Sequence, residues 1–289
     1  METQTEFDKL WDYNKPAETE KKFREVLSQT KKEDNVEYYL QLLTQIARTL
    51  GLQMKFEEAH AVLDDVEKQL KPEMITARIR YNLERGRAFN SFGNKDKAIH
   101  YFLDAYHLAM ENNADFYTID AAHMLGIAES HDAALNWNEI AIELIEKTTN
   151  ERAKGWLGSL LNNTGWTYFD KGDYETAMEY FRKNVVYHTE RNHPVQLRIA
   201  KWCVARTLRA QNKIDEALKM QNEIKEYMES TGDTGDGYVY EELGELYLLK
   251  EDKENSKTNF KIAYEKLSQD KWLAANEKER LERMKKLSE

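Results

Sequence analysis

Small and large apolar side chains recur along this chain in one fixed register. A small residue stands at Ala47, Gly86, Ala122, Gly165, Ala205 and Gly244, and each is followed at +12 by another: Ala59, Ala98, Ala134, Ala177, Ala217 and Ser256. At +3 stands a bulky apolar side chain, Leu50, Phe89, Leu125, Tyr168, Leu208 or Tyr247. The anchors lie 39, 36, 43, 40 and 39 residues apart, and a period in that range is the signature of stacked repeats. Two antiparallel helices approach closely only where a side chain at their crossing is small. The anchor on a first helix therefore faces the +12 residue on a second, and the +3 residue fills the groove beside them. The turn is expected near +7, where Gly93 and Gly172 occur in Phe92-Gly93-Asn94 and Lys171-Gly172-Asp173. Further on, +16 brings Leu63, Phe102, Phe181 and Phe260, and +19 brings Val66, Ala105, Ala141, Ile224 and Ala263. These spacings share the +12 face of the second helix. The pattern predicts helix–turn–helix stacking and an all-α chain.

At these residues the chain resembles the tetratricopeptide repeat family. Segment 83–105, LERGRAFNSFGNKDKAIHYFLDA, carries the family's Gly, aromatic, Gly, Ala, Phe and Ala in order. Segment 162–184, NNTGWTYFDKGDYETAMEYFRKN, does the same up to Asn184, where Ala is usual. Segment 241–263, EELGELYLLKEDKENSKTNFKIA, has Ser256 in place of Ala. The repeats near Leu40 and Arg198 are recognisable, and the one near Asp115 is degenerate, with Asn138 where an aromatic is expected. The period exceeds the roughly 34 residues typical of the family and looks like that of kinesin light chains and bacterial Rap-type peptide receptors. The resemblance, over roughly four-fifths of the chain, implies an α-α superhelix, a tetratricopeptide solenoid of about six helix–turn–helix repeats with helical caps.

The ends carry apolar stripes of their own. Phe7, Leu10 and Trp11, then Pro16, then Phe23, Val26 and Leu27 suggest a helical pair over the first repeat, with Pro16 suited to a first helical turn. Trp272 and Leu273 lead into Leu281, Met284 and Leu287 on a highly charged helix. The expected organisation is an N-terminal helical cap at 1–37, six repeats at 38–267 and a C-terminal capping helix at 268–289. A docking or dimer-forming role for the last helix stays open.

Composition narrows the classes. Three prolines and twelve glycines in 289 residues leave little room for a β-rich fold. The opening METQTEFDKLWDYNKP has no apolar core of a secretory signal, and no stretch approaches a membrane span. A single cysteine, Cys203 beside Trp202, excludes an intramolecular disulfide and fits a reducing, cytoplasmic setting as a packing residue. The net charge of −10 argues against a nucleic-acid footprint. Nucleic acid and membrane are therefore not expected as partners.

In the family, the side one residue past each anchor lines the concave surface. Here that ladder reads Arg48, Arg87, His123, Trp166, Arg206 and Glu245. Neighbouring turns add Arg80, Phe116, Asn162, Phe169, Trp202, Arg209 and Glu241. Arginine and large aromatics dominate binding hot spots, and a guanidinium fork suits a carboxylate or phosphate. These thirteen positions are the candidate peptide-binding residues. The same side chains would also serve to fill the interior, with Arg–Glu pairs made internally. The family's chaperone-tail clamp needs Lys and Asn on one repeat, Asn on the next, and Lys with Arg on the third. No three successive repeats offer that set, although Asn163 is suitably placed. An extended peptide with an acidic end and an apolar anchor fits better.

No Gly-rich phosphate loop, HExxH or paired-cysteine metal spacing occurs. His123, His131, His188 and His193 read as packing or solvated histidines, and TGDTGDG at 231–237 as a flexible connector without calcium-loop alternation. No catalytic residue, metal or cofactor is expected, and the chain does not read as an enzyme. The expected function is a scaffold or adaptor that holds a partner's peptide or helix. The alternative is a ligand-responsive regulator, similar to the bacterial peptide receptors, that changes shape on peptide binding. Against that alternative, no DNA-binding domain or Rap-type effector bundle is expected from the residues before Leu40.

Overall fold

The computed structural model describes residues 5–232 and 237–289. Residues 233–236, most of the acidic connector, lie outside the described residues. The chain divides into two compact units, Met1–Asn163 and Thr164–Glu289. Unit 1 opens with a 3-10 helix, Glu6–Leu10, and continues through α1 (Pro16–Gln29), α2 (Val36–Leu52), α3 (Phe56–Glu67), α4 (Ile75–Ser91), α5 (Lys95–Glu111), α6 (Asp115–Ala128), α7 (His131–Lys147) and α8 (Glu151–Lys154). The division falls within α9 (Leu157–Asp170). Unit 2 holds α10 (Tyr174–Glu190), α11 (Pro194–Ala210), α12 (Ile214–Thr231), α13 (Gly237–Leu249), α14 (Lys253–Leu267), α15 (Lys271–Asn276) and α16 (Lys278–Leu287). The described residues form helices and turns, with no strand among them. Each anchor sits on one helix of a hairpin and its +12 partner on the next.

The columns behave as crossing geometry requires. All six +12 residues are buried. A Cβ on Gly86, Gly165 or Gly244 would lie 2.5, 2.5 or 2.9 Å from the ring of Phe102, Phe181 or Phe260. Glycine at the anchor thus makes room for phenylalanine at +16. Where the anchor is alanine, the +16 residue is smaller or polar: Leu63, Asn138 and Gln221, each fully buried. The amide atoms of Asn138 and Gln221 have no hydrogen-bond partner among the described residues. The +3 column alternates in step. Phe89 stacks on Tyr101 and Tyr168 on Tyr180, both at 5.7 Å between centroids, whereas Leu50, Leu125 and Leu208 are buried.

The turns fall at +7. Met54, Gly93, Gly172, Asn212 and Glu251 have φ of 63, 87, 80, 60 and 61°, the left-handed residue that ends a helix. The next N–H then reaches back to the +3 carbonyl, as in Asn94 N–H to Phe89 O at 2.9 Å and Asp173 N–H to Tyr168 O at 3.0 Å. Asn94, Asp173 and Asp252 also cap the following helix through their side chains. The degenerate repeat departs here, since Glu129 is extended at φ −73°. The longest anchor spacing, from Ala122 to Gly165, is accounted for by α8, a short extra helix between α7 and α9.

Candidate functional site

In unit 1 the ladder cations are paired with carboxylates. Arg48 and Arg87 both donate to Glu84 Oε1, at 3.2 and 2.8 Å, and Arg87 also donates to Asp120. Glu84 and Asp120 each stand two residues before an anchor, so one repeat's carboxylate meets the preceding repeat's arginine. Arg80, only 3 % exposed, takes a different partner. Its guanidinium makes a fork with Asp8 of the 3-10 helix, at 2.9 and 2.6 Å, and Arg152 of α8 lies 3.4 Å from the same carboxylate. Burial opposes ionisation of Asp8, but the hydrogen bonds and charge of Arg80, with Arg152, outweigh it and hold the carboxyl below its ordinary value.

The N-terminal segment brings aromatic rings to the same place. Arg80 lies over the Phe7 ring at 5.2 Å, and Arg48 over Trp11 and Tyr13 at 5.7 and 5.3 Å. Trp11 Nε1 donates to Gln45 Oε1 at 3.0 Å. Phe116 is half-buried, with Arg152 at 3.6 Å from its ring. His123 is buried against Trp156. Burial, opposed by Asp120 and reinforced by Arg87 and Arg48, lowers its pKa to about 4, so its imidazole is neutral at pH 7. A cleft of about 240 Å³ remains between these groups. Asn162, half-buried on α9, closes the unit-1 members of the candidate set.

In unit 2 one ladder cation, Arg206, has no carboxylate partner among the described residues. Arg209 forms a fork with Glu242, at 2.5 and 3.0 Å. Glu241 is gripped by Arg280 of α16 at 2.7 and 2.6 Å, and Glu245 by Arg283. Arg206 has no such partner among the described residues. Its guanidinium instead lies between two indoles, 5.5 Å from Trp166 and 5.4 Å from Trp202. Its buried Nε has no hydrogen-bond partner among the described residues. Trp166 also packs on Phe169 at 5.0 Å and Phe181 at 5.2 Å, which holds its ring in place. Trp202 is fixed by a hydrogen bond from Nε1 to Tyr238 O at 3.1 Å. Beside Trp202, α11, α13 and α14 enclose a cleft of about 590 Å³ with Arg198, Ile199, Tyr238 and Lys266 in its wall.

The structure thus brings Trp166, Phe169, Trp202 and Arg206 together in unit 2. In unit 1, Arg48, Arg80 and Phe116 line one cleft with Asp8, Glu84 and Asp120, Arg87 pairs with Glu84 and Asp120, and His123 packs on Trp156 of the same cleft's wall. Sequence reading missed Asp8, Glu84, Asp120, Arg152, Glu242, Arg280 and Arg283. The −2 column holds three of these carboxylates and was visible as a register position; the others stand outside any repeat register. Cys203 is fully buried, and burial pushes its thiol up to about 12, far from a reactive thiolate. Among the described residues no three His, Cys, Asp or Glu side chains converge as a metal site. No described helix is long and apolar enough to cross a membrane.

Residues 158–183 match the family model of the tetratricopeptide repeat. No curated protein sequence matches the chain. Among solved structures, the apo form of RapI aligns with a TM-score of 0.65 at 13% identity, over 92% of this chain and 77% of that one. NprR in complex with its cognate peptide NprX gives 0.62 at 15% identity, over 94% and 82%. The kinesin light chain repeats of Podosopora anserina give 0.55 at 16% identity, over 68% and 97%. At these identities the likeness is one of fold. The chain resembles tetratricopeptide repeat proteins with long repeats, of the kinesin-light-chain and Rap kinds, and its fold is the all-α stack of helical hairpins they share.

Proposed function

We propose that this protein is a cytoplasmic, non-enzymatic scaffold or adaptor that binds an extended peptide or helix of a partner protein. The observation that carries the reading is Arg206, held between Trp166 and Trp202 and without a carboxylate partner among the described residues. A guanidinium flanked by flat apolar rings offers charge-assisted hydrogen bonds to an acidic group and apolar surface to the residues beside it. Arg198 and Lys266 line the neighbouring cleft beside Trp202. Phe169 supports the Trp166 ring, and Arg209 draws Glu242 away from Arg206. Glu241 and Glu245, tied to α16, border the site. The unit-1 members of the set, Arg48, Arg80, Arg87, Phe116, His123 and Asn162, form a second stretch of the ladder in which internal pairs dominate.

The test is selection from a displayed peptide library on the intact protein. Enriched sequences should place Asp or Glu next to an apolar or aromatic residue. Arg206→Ala should weaken a selected peptide by at least about tenfold, the scale of a charge-assisted contact, with the circular dichroism spectrum unchanged. Equal affinity for the variant overturns the assignment.

A second reading is a regulator whose shape responds to its peptide, and the likeness in fold to NprR solved with its cognate peptide favours keeping it. Small-angle scattering separates the two. A reduced radius of gyration on saturation with a selected peptide supports the regulator, and an unchanged radius supports the static scaffold.

A further inference from the structure

Two elements outside the repeat register, the N-terminal segment and α8, supply walls of the unit-1 cleft of about 240 Å³. Asn150 caps α8 by accepting from the N–H groups of Arg152 and Ala153, at 3.0 and 3.2 Å, and Ala153 is fully buried. The cap and the buried alanine hold Arg152 and Trp156 in the cleft wall. The Trp156 ring packs on Phe116 at 5.8 Å and on His123 at 4.9 Å.

Charge and hydrogen bonding leave this wall unsatisfied. Arg48, Arg80 and Arg87 share Asp8, Glu84 and Asp120 in hydrogen-bonded pairs. Arg152 is a fourth guanidinium, and its carboxylate contact is to Asp8, already paired, at 3.4 Å. Four guanidiniums thus meet three carboxylates, an excess of one positive charge. Arg152 Nη1 and Trp156 Nε1 are buried donors without a hydrogen-bond partner among the described residues. Glu84 Oε2 is a buried acceptor in the same condition.

A ligand that answers this wall is a monoanion. One carboxylate can accept from both free donors and cancel the excess charge. Trp11, Phe116 and Trp156 present flat rings to an apolar body. Glu84 Oε2 suits a neutral O–H or N–H, because Arg48 and Arg87 already balance the charges of Glu84 and Asp120. The volume lies below the roughly 300–1,000 Å³ of pockets for drug-sized ligands and suits a single ring.

We propose that the unit-1 cleft binds a small aromatic monocarboxylate bearing a neutral hydrogen-bond donor, with Arg152 and Trp156 holding the carboxylate. The site uses neither Arg206 nor its tryptophans and stands or falls separately from the peptide contact.

The probe is para-hydroxyphenylacetate, titrated into the full chain and followed by calorimetry and by the tryptophan Nε1–H resonances. One equivalent should bind and shift the Trp156 resonance. Para-hydroxyphenethyl alcohol, which lacks the carboxylate, should bind at least about tenfold more weakly, the scale of a charge-assisted contact. Trp156→Phe keeps a ring, removes the N–H and should weaken the probe to a similar degree. Trp272→Phe makes the same change at an exposed tryptophan and should leave the affinity unchanged. No saturable binding of the probe overturns the proposal, as does equal affinity for the alcohol, which needs no variant to fold. Equal affinity of Trp156→Phe, or shifts at Trp166 and Trp202 with Trp156 unmoved, overturns it as well.

Discussion

The same ladder column is chemically closed in unit 1 and open in unit 2. In unit 1, Arg48 and Arg87 meet carboxylates two residues ahead of the next anchors, and Arg80 meets Asp8 of the N-terminal segment. In unit 2, the corresponding carboxylate, Glu242, is taken by Arg209, one turn beyond Arg206. Arg206 is left between two tryptophans. One change of partner by one helical turn therefore separates an internal ion-pair network from a site that can receive an acidic ligand. A buried, paired charge contributes to one native arrangement, while an unpaired guanidinium on aromatic walls is free to make its strongest contact with something else.

Removing the acid that closes unit 1 should have the largest effect. Asp8→Asn leaves the buried Arg80 without its counter-charge and is expected to cost about 3–5 kcal/mol in urea unfolding. Arg206→Ala, by contrast, should cost under about 1 kcal/mol, since it loses only stacking on indoles. Equal costs would erase the distinction between the two regions.

Acid is the next lever. His123 has a folded pKa of about 4 against an ordinary 6.5. The unfolded chain therefore takes up a proton that the folded chain refuses, and stability falls as pH drops from 6.5 toward 4. The loss should reach about 3 kcal/mol by pH 4. His123→Gln should remove most of that slope, leaving the smaller part from His60 and His188, whose values are also lowered. Asp8 acts lower still. Its contribution is present above the ordinary carboxylate value of 3.8 and is lost as pH falls below it. Equilibrium unfolding across pH 3–7 checks both signs.

Arg209→Gln sharpens the comparison from the other side. It releases Glu242 and lets unit 2 close as unit 1 does, with Glu242 turning to Arg206. Affinity for a selected acidic peptide should fall by about three- to tenfold, or about 0.7–1.4 kcal/mol. Fluorescence titration reads this directly, and an unchanged affinity would separate Arg206 from binding.

The smallest effect is a control for the shared backbone. Met54 in unit 1 and Glu251 in unit 2 both occupy the left-handed turn position without being glycine. Met54→Gly and Glu251→Gly should each stabilise by about 0.5–1 kcal/mol. Similar gains in thermal unfolding would show that the units share their turns and differ in side-chain pairing.

The repeats were legible because close packing forces them. A glycine facing phenylalanine, or an alanine facing a smaller residue, leaves a mark at fixed spacing that polar divergence does not blur. The turn at +7 was legible at Gly93 and Gly172 but hidden at Asn212, which tolerates the left-handed region, and at Met54 and Glu251, where stacking imposes it against the residue's own preference. The ladder residues were also legible as a set, whereas their charge partners were not. Asp8 lies 72 residues from Arg80, and Arg280 lies 39 from Glu241, both from segments outside the repeat register. The −2 carboxylates were in register, yet whether Glu242 serves Arg206 or Arg209 depends on side-chain reach across a helical turn.

The difference between the two ladders is read most directly from arginine Nε–Hε resonances of the intact protein, titrated with a selected acidic–aromatic peptide. Arg206 should shift and broaden in proportion to occupancy, while Arg48, Arg80 and Arg87 stay in place. Shifts confined to the unit-1 arginines, with Arg206 unmoved, would contradict the account.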